Sequence, residues 1–167
     1  MGSRYDIAVL RRTSLAELGQ ALGGVLTVGD QAVEPWAGPS GVTVAQVDGA
    51  AESAVVVLAA PMKLPRGVDT RLVRRLGTEA LFATVWDSVG VYSLRVVGDG
   101  IDREITADPD DGMHRRGTSL PEEPSWPEVD EAYVQTVLRA RCGIDPGAIQ
   151  DVATTWFPLL PSPSSDR

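Results

Sequence analysis

The sequence predicts an α+β domain: a mainly antiparallel, mixed sheet of about six or seven strands covered by about three helices. Three observations carry this. Between Ala80 and Thr106, three alternating apolar runs are separated by short turn sequences, one of them Gly98-Asp99-Gly100. Ser14–Leu22 and Glu128–Arg141 repeat apolar residues at helical spacing and carry capping residues at their starts. Ser53–Ala60 is apolar without interruption, the pattern of a central strand covered on both faces.

Taken in order, Tyr5–Leu10 reads as a strand. Ser14 with Glu17 forms a capping-box pattern that starts a helix on Leu15, Leu18 and Leu22, and Gly23-Gly24 ends it. Val25–Val28 and Gln31–Val33 flank Gly29-Asp30 as a hairpin, and a Pro/Gly loop around Trp36 follows. Val42–Val47 alternates as a half-buried strand. Val68–Leu76 reads as a helix with Leu72, Val73 and Leu76 inward, Arg71, Arg74 and Arg75 outward, and Gly77 as its stop. With a crossover through this helix, Ser53–Trp86 would supply one right-handed parallel connection. Ala80–Trp86, Val91–Val97 and Ile101–Thr106 form an antiparallel meander. Ala107–Pro127, rich in Pro, Asp, Gly, Ser and Glu, reads as one long loop. In the last clear helix, acids at Glu128, Asp130 and Glu131 complement the N-terminus and Arg139 and Arg141 the C-terminus. Its buried face is Val134, Val137 and Leu138, and Gly143 stops it. Asp145-Pro146 opens a further short helical segment. Residues 1–157 make a single domain and residues 158–167 a Pro/Ser tail.

Fifteen basic residues, with Lys63 the single lysine, face 23 acidic ones, giving a net charge of −8. With one histidine (His114) and one cysteine (Cys142), the composition excludes a disulfide scaffold, a Cys/His zinc cluster and a basic nucleic-acid binder. No apolar run is long enough to span a bilayer, and no secretory leader pattern opens the sequence, so a cytoplasmic protein without membrane contact is expected. The charge is segregated. Met1–Thr84 is neutral, whereas Asp87–Glu131 holds twelve acids against four arginines. Such asymmetry either solubilises the chain or steers a cationic partner.

Catalytic patterns are missing. His114 sits in a polar loop, with carboxylates near in sequence but no identifiable nucleophile or oxyanion donor. Asp108-Pro109-Asp110-Asp111-Gly112 fails as a calcium loop, because its glycine is fifth and Ser119 stands where the distal glutamate belongs. Neither a glycine-rich phosphate loop nor a serine-hydrolase elbow occurs. Cys142, at a helix C-terminus without a partner histidine, reads as a structural thiol. No cofactor or metal is expected. Trp126, in Leu120-Pro121-Glu122-Glu123-Pro124-Ser125-Trp126-Pro127, is either a binding anchor among carboxylates or a cover for the last helix.

Residues 81–143 resemble uncharacterised actinobacterial proteins and small bacterial immunity-type proteins. The likeness lies in a strand hairpin at Leu81–Ile105, a charged loop, the segment Gly117-Thr118-Ser119-Leu120-Pro121-Glu122, and a final helix. The resemblance implies an α+β fold and a non-enzymatic, partner-binding role, and it transfers no catalytic residue. Together these readings point to a protein-binding module of immunity or antitoxin type. Asp108, Asp110, Asp111, Glu122, Glu123 and Trp126 would meet a basic protein partner. Two alternatives stand beside it: an anion- or small-molecule-binding regulator or enzyme using Arg71, Arg74 and Arg75, and an accessory subunit of a larger assembly.

Overall fold

The structure, a computed structural model, describes residues 3–22, 41–48, 53–60, 73, 76–146 and 154–158. They form an α+β fold around one eight-stranded sheet. The strands are β1 (Arg4–Arg11), β2 (Gly41–Asp48), β3 (Ser53–Ala60), β4 (Ala80–Trp86), β5 (Val91–Gly98), β6 (Ile101–Asp108), β7 (Gly112–Arg116) and β8 (Thr154–Pro158). The helices described along their length are α1 (Leu15–Leu22) and α2 (Glu131–Cys142). Spatial order is β7-β6-β5-β4-β1-β3-β2-β8, and every neighbouring pair is antiparallel.

Among the described residues the sheet is therefore antiparallel throughout and not mixed. β3 and β4 run in the same direction, as the expected crossover required, but β1 lies between them and pairs antiparallel with both. The meander β4–β5–β6 forms as the sequence predicts. Gly98 pairs with Ile101, and the two residues between them, Asp99 at φ 51° and Gly100 at φ 80°, make a two-residue turn with φ positive at both positions. That conformation matches strand twist and explains the Asp-Gly pair.

The long loop expected over Ala107–Pro127 is corrected. β6 continues to Asp108, and the chain turns back through Gly112–Arg116 as β7, the outer strand. All five β7 residues are exposed. A strand held at an edge by backbone pairing alone needs no apolar alternation, so its sequence carries no periodic signal.

The capping box before α1 closes in both directions. The Ser14 amide donates to Glu17 Oε2 at 2.7 Å, and the Glu17 amide donates to Ser14 Oγ at 3.3 Å. α2 starts three residues later than expected, because Asp130 is its N-cap and accepts from the Tyr133 amide at 2.8 Å. It stops where expected: Gly143, left-handed at φ 66°, donates to Arg139 O at 2.9 Å, and the Ile144 amide reaches Leu138 O. Val73 and Leu76, from the helix expected over Val68–Leu76, are helical, and the Gly77 amide bonds to Val73 O. The hairpin expected over residues 25–33, the loop around Trp36, the rest of the Val68–Leu76 helix and most of the segment after Pro146 lie outside the described residues. β8 reaches Pro158, the first residue of the expected tail.

One core lies between α2 and the sheet. Ile7, Val9, Leu81, Ala83, Val85, Leu94, Val96 and Ile105 form the sheet side, and Tyr133, Val134, Val137 and Leu138 the helix side. Burying a side chain of this size contributes about 1.5–3 kcal/mol. The segment between β7 and α2 crosses this layer, anchored by the buried Leu120 and Val129.

Candidate acidic binding surface

Ion pairs settle where the negative charge remains. Five of the twelve acids in Asp87–Glu131 have arginine partners. Asp99 pairs with Arg12, Asp102 and Glu104 with Arg116, Glu122 with Arg141, and Glu123 with Arg103. The other seven are Asp87, Asp108, Asp110, Asp111, Glu128, Asp130 and Glu131. They form no ion pair among the described residues.

These seven gather at one end of the sheet. Asp87 starts a single 3-10 turn (Asp87–Val89) between β4 and β5, and Asp108, Asp110 and Asp111 form the β6–β7 turn. The two turns touch, since a Cβ added at Gly90 would stand 3.3 Å from Pro109 Cγ. Glu128, Asp130 and Glu131 lead into α2. Tyr92 links the groups. Its hydroxyl donates to Asp87 Oδ1 at 2.6 Å, and its pKa is pushed up to about 12 by that bond, by burial, and by the charges of Asp87, Asp130 and Glu131. The Asp108 carboxylate accepts from the Asp110 amide at 2.8 Å, which shapes the turn and leaves Asp110 and Asp111 exposed.

Apolar side chains stand among these carboxylates. Val89 (44% exposed), Met113 (51%) and Trp126 (43%) are the large hydrophobic residues exposed among the described residues. Val89 lies in the β4–β5 turn and Met113 opens β7. Trp126 meets the Tyr133 ring edge-on at 6.4 Å, so it partly covers α2 and partly faces outward. Arg115 joins the two regions: its guanidinium lies 5.6 Å from the centre of the Tyr133 ring and donates to Pro127 O at 2.9 Å.

Glu122 and Glu123, unlike the seven, are held by arginines of the same chain. The Glu123 residue is half-buried with its side chain only 6% exposed, and its oxygens accept from Arg103 Nε (2.7 Å) and Nη2 (2.8 Å), the Leu120 amide (2.8 Å) and the Tyr133 hydroxyl (3.0 Å). Burial raises its pKa, but these bonds outweigh burial and hold the carboxyl below its ordinary value. Arg103 also donates to Arg116 O and Gly117 O. Glu122 accepts at both oxygens from Arg141 Nη1 at 2.9 Å, while Arg141 grips the buried Glu79 in bidentate fashion at 2.8 and 2.7 Å. The two adjacent glutamates thus pin the segment carrying Trp126 to β6 and to α2.

The residues that sequence reasoning missed are Asp87, Val89, Met113, Glu128, Asp130 and Glu131. The acids lay within the segregated stretch, but nothing local separates a free carboxylate from a paired one. Arg71, Arg74 and Arg75 lie outside the described residues. His114 is exposed, with its Nε2 2.9 Å from Asp111 O. Burial first, with Glu79 and Glu122 adding, pushes the Cys142 thiol up to about 12 against the opposing arginines. Among the described residues, no helix is long and apolar enough to cross a membrane, and no His, Cys, Asp and Glu side chains group to hold a metal ion. Comparison with protein-family models, curated proteins and solved structures finds no match.

Proposed function

We propose that this chain is a non-enzymatic protein-binding module of immunity or antitoxin type, which works in the cytosol and takes a basic protein partner on the acidic end of its sheet. One observation carries the reading: seven carboxylates without arginine partners among the described residues converge with the exposed Val89, Met113 and Trp126. Carboxylates around the rim accelerate encounter with a cationic surface, and apolar anchors inside the rim hold the complex. A toxin domain with a basic active-site cleft has the matching chemistry, and an acidic plug in that cleft would block it. In this reading Asp108, Asp110, Asp111 and Trp126 meet the partner, together with Asp87, Glu128 and Met113. Glu122 and Glu123 position the segment rather than meet the partner.

The test is capture from the cytosol of the source organism at low salt, with wild type and an Asp108→Asn/Asp110→Asn/Asp111→Asn variant side by side. The reading expects a basic protein that wild type retains, that salt releases, and that the variant binds with a slower association rate. Trp126→Ala should weaken the same complex through faster dissociation, by about 2 kcal/mol or more. Identical capture by wild type and the triple variant would overturn the proposal.

A further inference from the structure

We propose that two copies of this chain pair antiparallel along β7, about a two-fold axis through His114. β7 is the outer strand of the sheet, its five residues are all exposed, and strand alternation turns half of its amide and carbonyl groups away from β6. Such an edge is a template for another strand.

The order of charge along the edge selects the occupant. Acids stand before and at the turn (Asp108, Asp110, Asp111), and arginines end the strand (Arg115, Arg116). A uniformly basic strand would meet the arginines, and a uniformly acidic one the aspartates. A parallel copy would stack like charge on like. An antiparallel second copy inverts the order and meets each end with its opposite.

With His114 on the axis, Met113 faces Arg115 of the second copy and Gly112 faces its Arg116. Asp110 and Asp111 of each copy then lie just beyond Arg116 of the other. Each guanidinium already has a partner in its own chain, Arg115 in Pro127 O at 2.9 Å and Arg116 in Glu104 at 3.1 Å and Asp102 at 3.4 Å, yet the Arg116 side chain stays 62% exposed and open to a further carboxylate. The pairing also covers Met113 with the aliphatic stem of Arg115. It is isologous and closes on itself, so it yields a dimer and not a filament. Short charged edges ordinarily resist association through uniform repulsion; here the ordered charges attract. The pairing draws on Asp110, Asp111 and Met113, which the proposed partner would also meet, so dimer and partner would compete for this edge; the sedimentation test uses the chain alone and is decided without the partner.

The test is sedimentation of the full chain alone at low salt, from about 1 μM to about 500 μM. Strands this short bury a small interface, so half-dimerisation is expected at about 10–100 μM. Asp110→Arg/Asp111→Arg should raise the dissociation constant at least about tenfold. Arg115→Glu/Arg116→Glu should do the same, and mixing the two variants should restore a dimer, since each supplies the charge the other lacks. A chain that stays monomeric throughout, a tip variant that dimerises like wild type, or a mixture of two folded variants that stays monomeric would overturn the proposal. Should the arginine variant fail to fold by circular dichroism, amide exchange of wild type decides. β7 amides that slow as concentration rises support the pairing, and concentration-independent exchange refutes it.

Discussion

Glu123→Gln keeps the shape of a buried side chain and removes its charge. The side chains of Arg103 and Glu123 are 4% and 6% exposed, so solvent cannot replace what is lost. Each Glu123 oxygen accepts two donors: Oε1 from Arg103 Nε and the Leu120 amide, Oε2 from Arg103 Nη2 and the Tyr133 hydroxyl. An amide carbonyl can keep one of these pairs, and its NH₂ group must then oppose the other. The Tyr133 hydroxyl can rotate to accept, but a guanidinium cannot. One charge-assisted bond worth about 1.5–3 kcal/mol is lost. Arg103 is left buried with only neutral acceptors, which brings the expected cost to about 3–5 kcal/mol.

In urea, with a slope of about 2 kcal/mol per molar for a domain of this size, the unfolding midpoint should fall by about 2 M. The difference has a defined pH dependence. Because the folded-state pKa of Glu123 is lowered, its contribution is complete above the unfolded value near 4.5 and disappears as pH falls through the folded value. Wild type and variant should therefore converge in acid. Arg103→Gln should cost a similar amount, and the double replacement should fall short of the sum by at least about 1.5 kcal/mol. A loss below about 1 kcal/mol, or strict additivity, would refute the claim that this pair fixes the segment before α2.

Gly117→Ala should destabilise by about 3 kcal/mol or more in the same assay, because Gly117 has φ 83° and an added Cβ would stand 2.0 Å from Asp102 O. A loss of only a few tenths would show that the chain relaxes there freely. Tyr92 should ionise near pH 12 in an ultraviolet titration and nearer 10 in Asp87→Asn. Since the folded value is the higher, the Tyr92–Asp87 bond stabilises fully below pH 10 and is lost as pH rises through the folded value, so wild type and Tyr92→Phe should converge in strong alkali. Cys142 should resist a thiol-specific disulfide reagent at neutral pH and react on unfolding, because burial pushes its thiol up to about 12. Rapid labelling of the native chain would contradict that burial.

The parts of the fold legible in the sequence are those decided within a few residues. Asp99 and Gly100 announce their turn because few residues tolerate positive φ, Ser14 and Glu17 announce a helix start, and Gly143 announces a stop. β7 is silent because an exposed edge strand obeys backbone pairing and not hydrophobic alternation. The start of α2 slipped because Glu128, Asp130 and Glu131 are equally suited to a helix N-terminus, and only the cap bond to Tyr133 picks Asp130. At the candidate site, the position of the charged stretch was readable, and its division was not. Glu122 and Glu123 look like Asp110 and Asp111 in sequence, yet their partners Arg141 and Arg103 lie across other elements and meet them only after folding.

The sheet order has a consequence for how the molecule comes to be. β1 precedes all other strands in the chain, yet Ile7 pairs with Leu58 on one side and Ala83 on the other. Both sides of the central strand thus wait for distant segments. Topologies dominated by such non-local pairing fold slowly, over about milliseconds to seconds. On the ribosome, the Ile7–Leu10 run would emerge with both edges open, one until β3 had left the exit tunnel and the other until β4 had followed. Early, unpaired exposure of that run is where misassembly should begin, and a partner or chaperone that shields it would raise the yield of native protein.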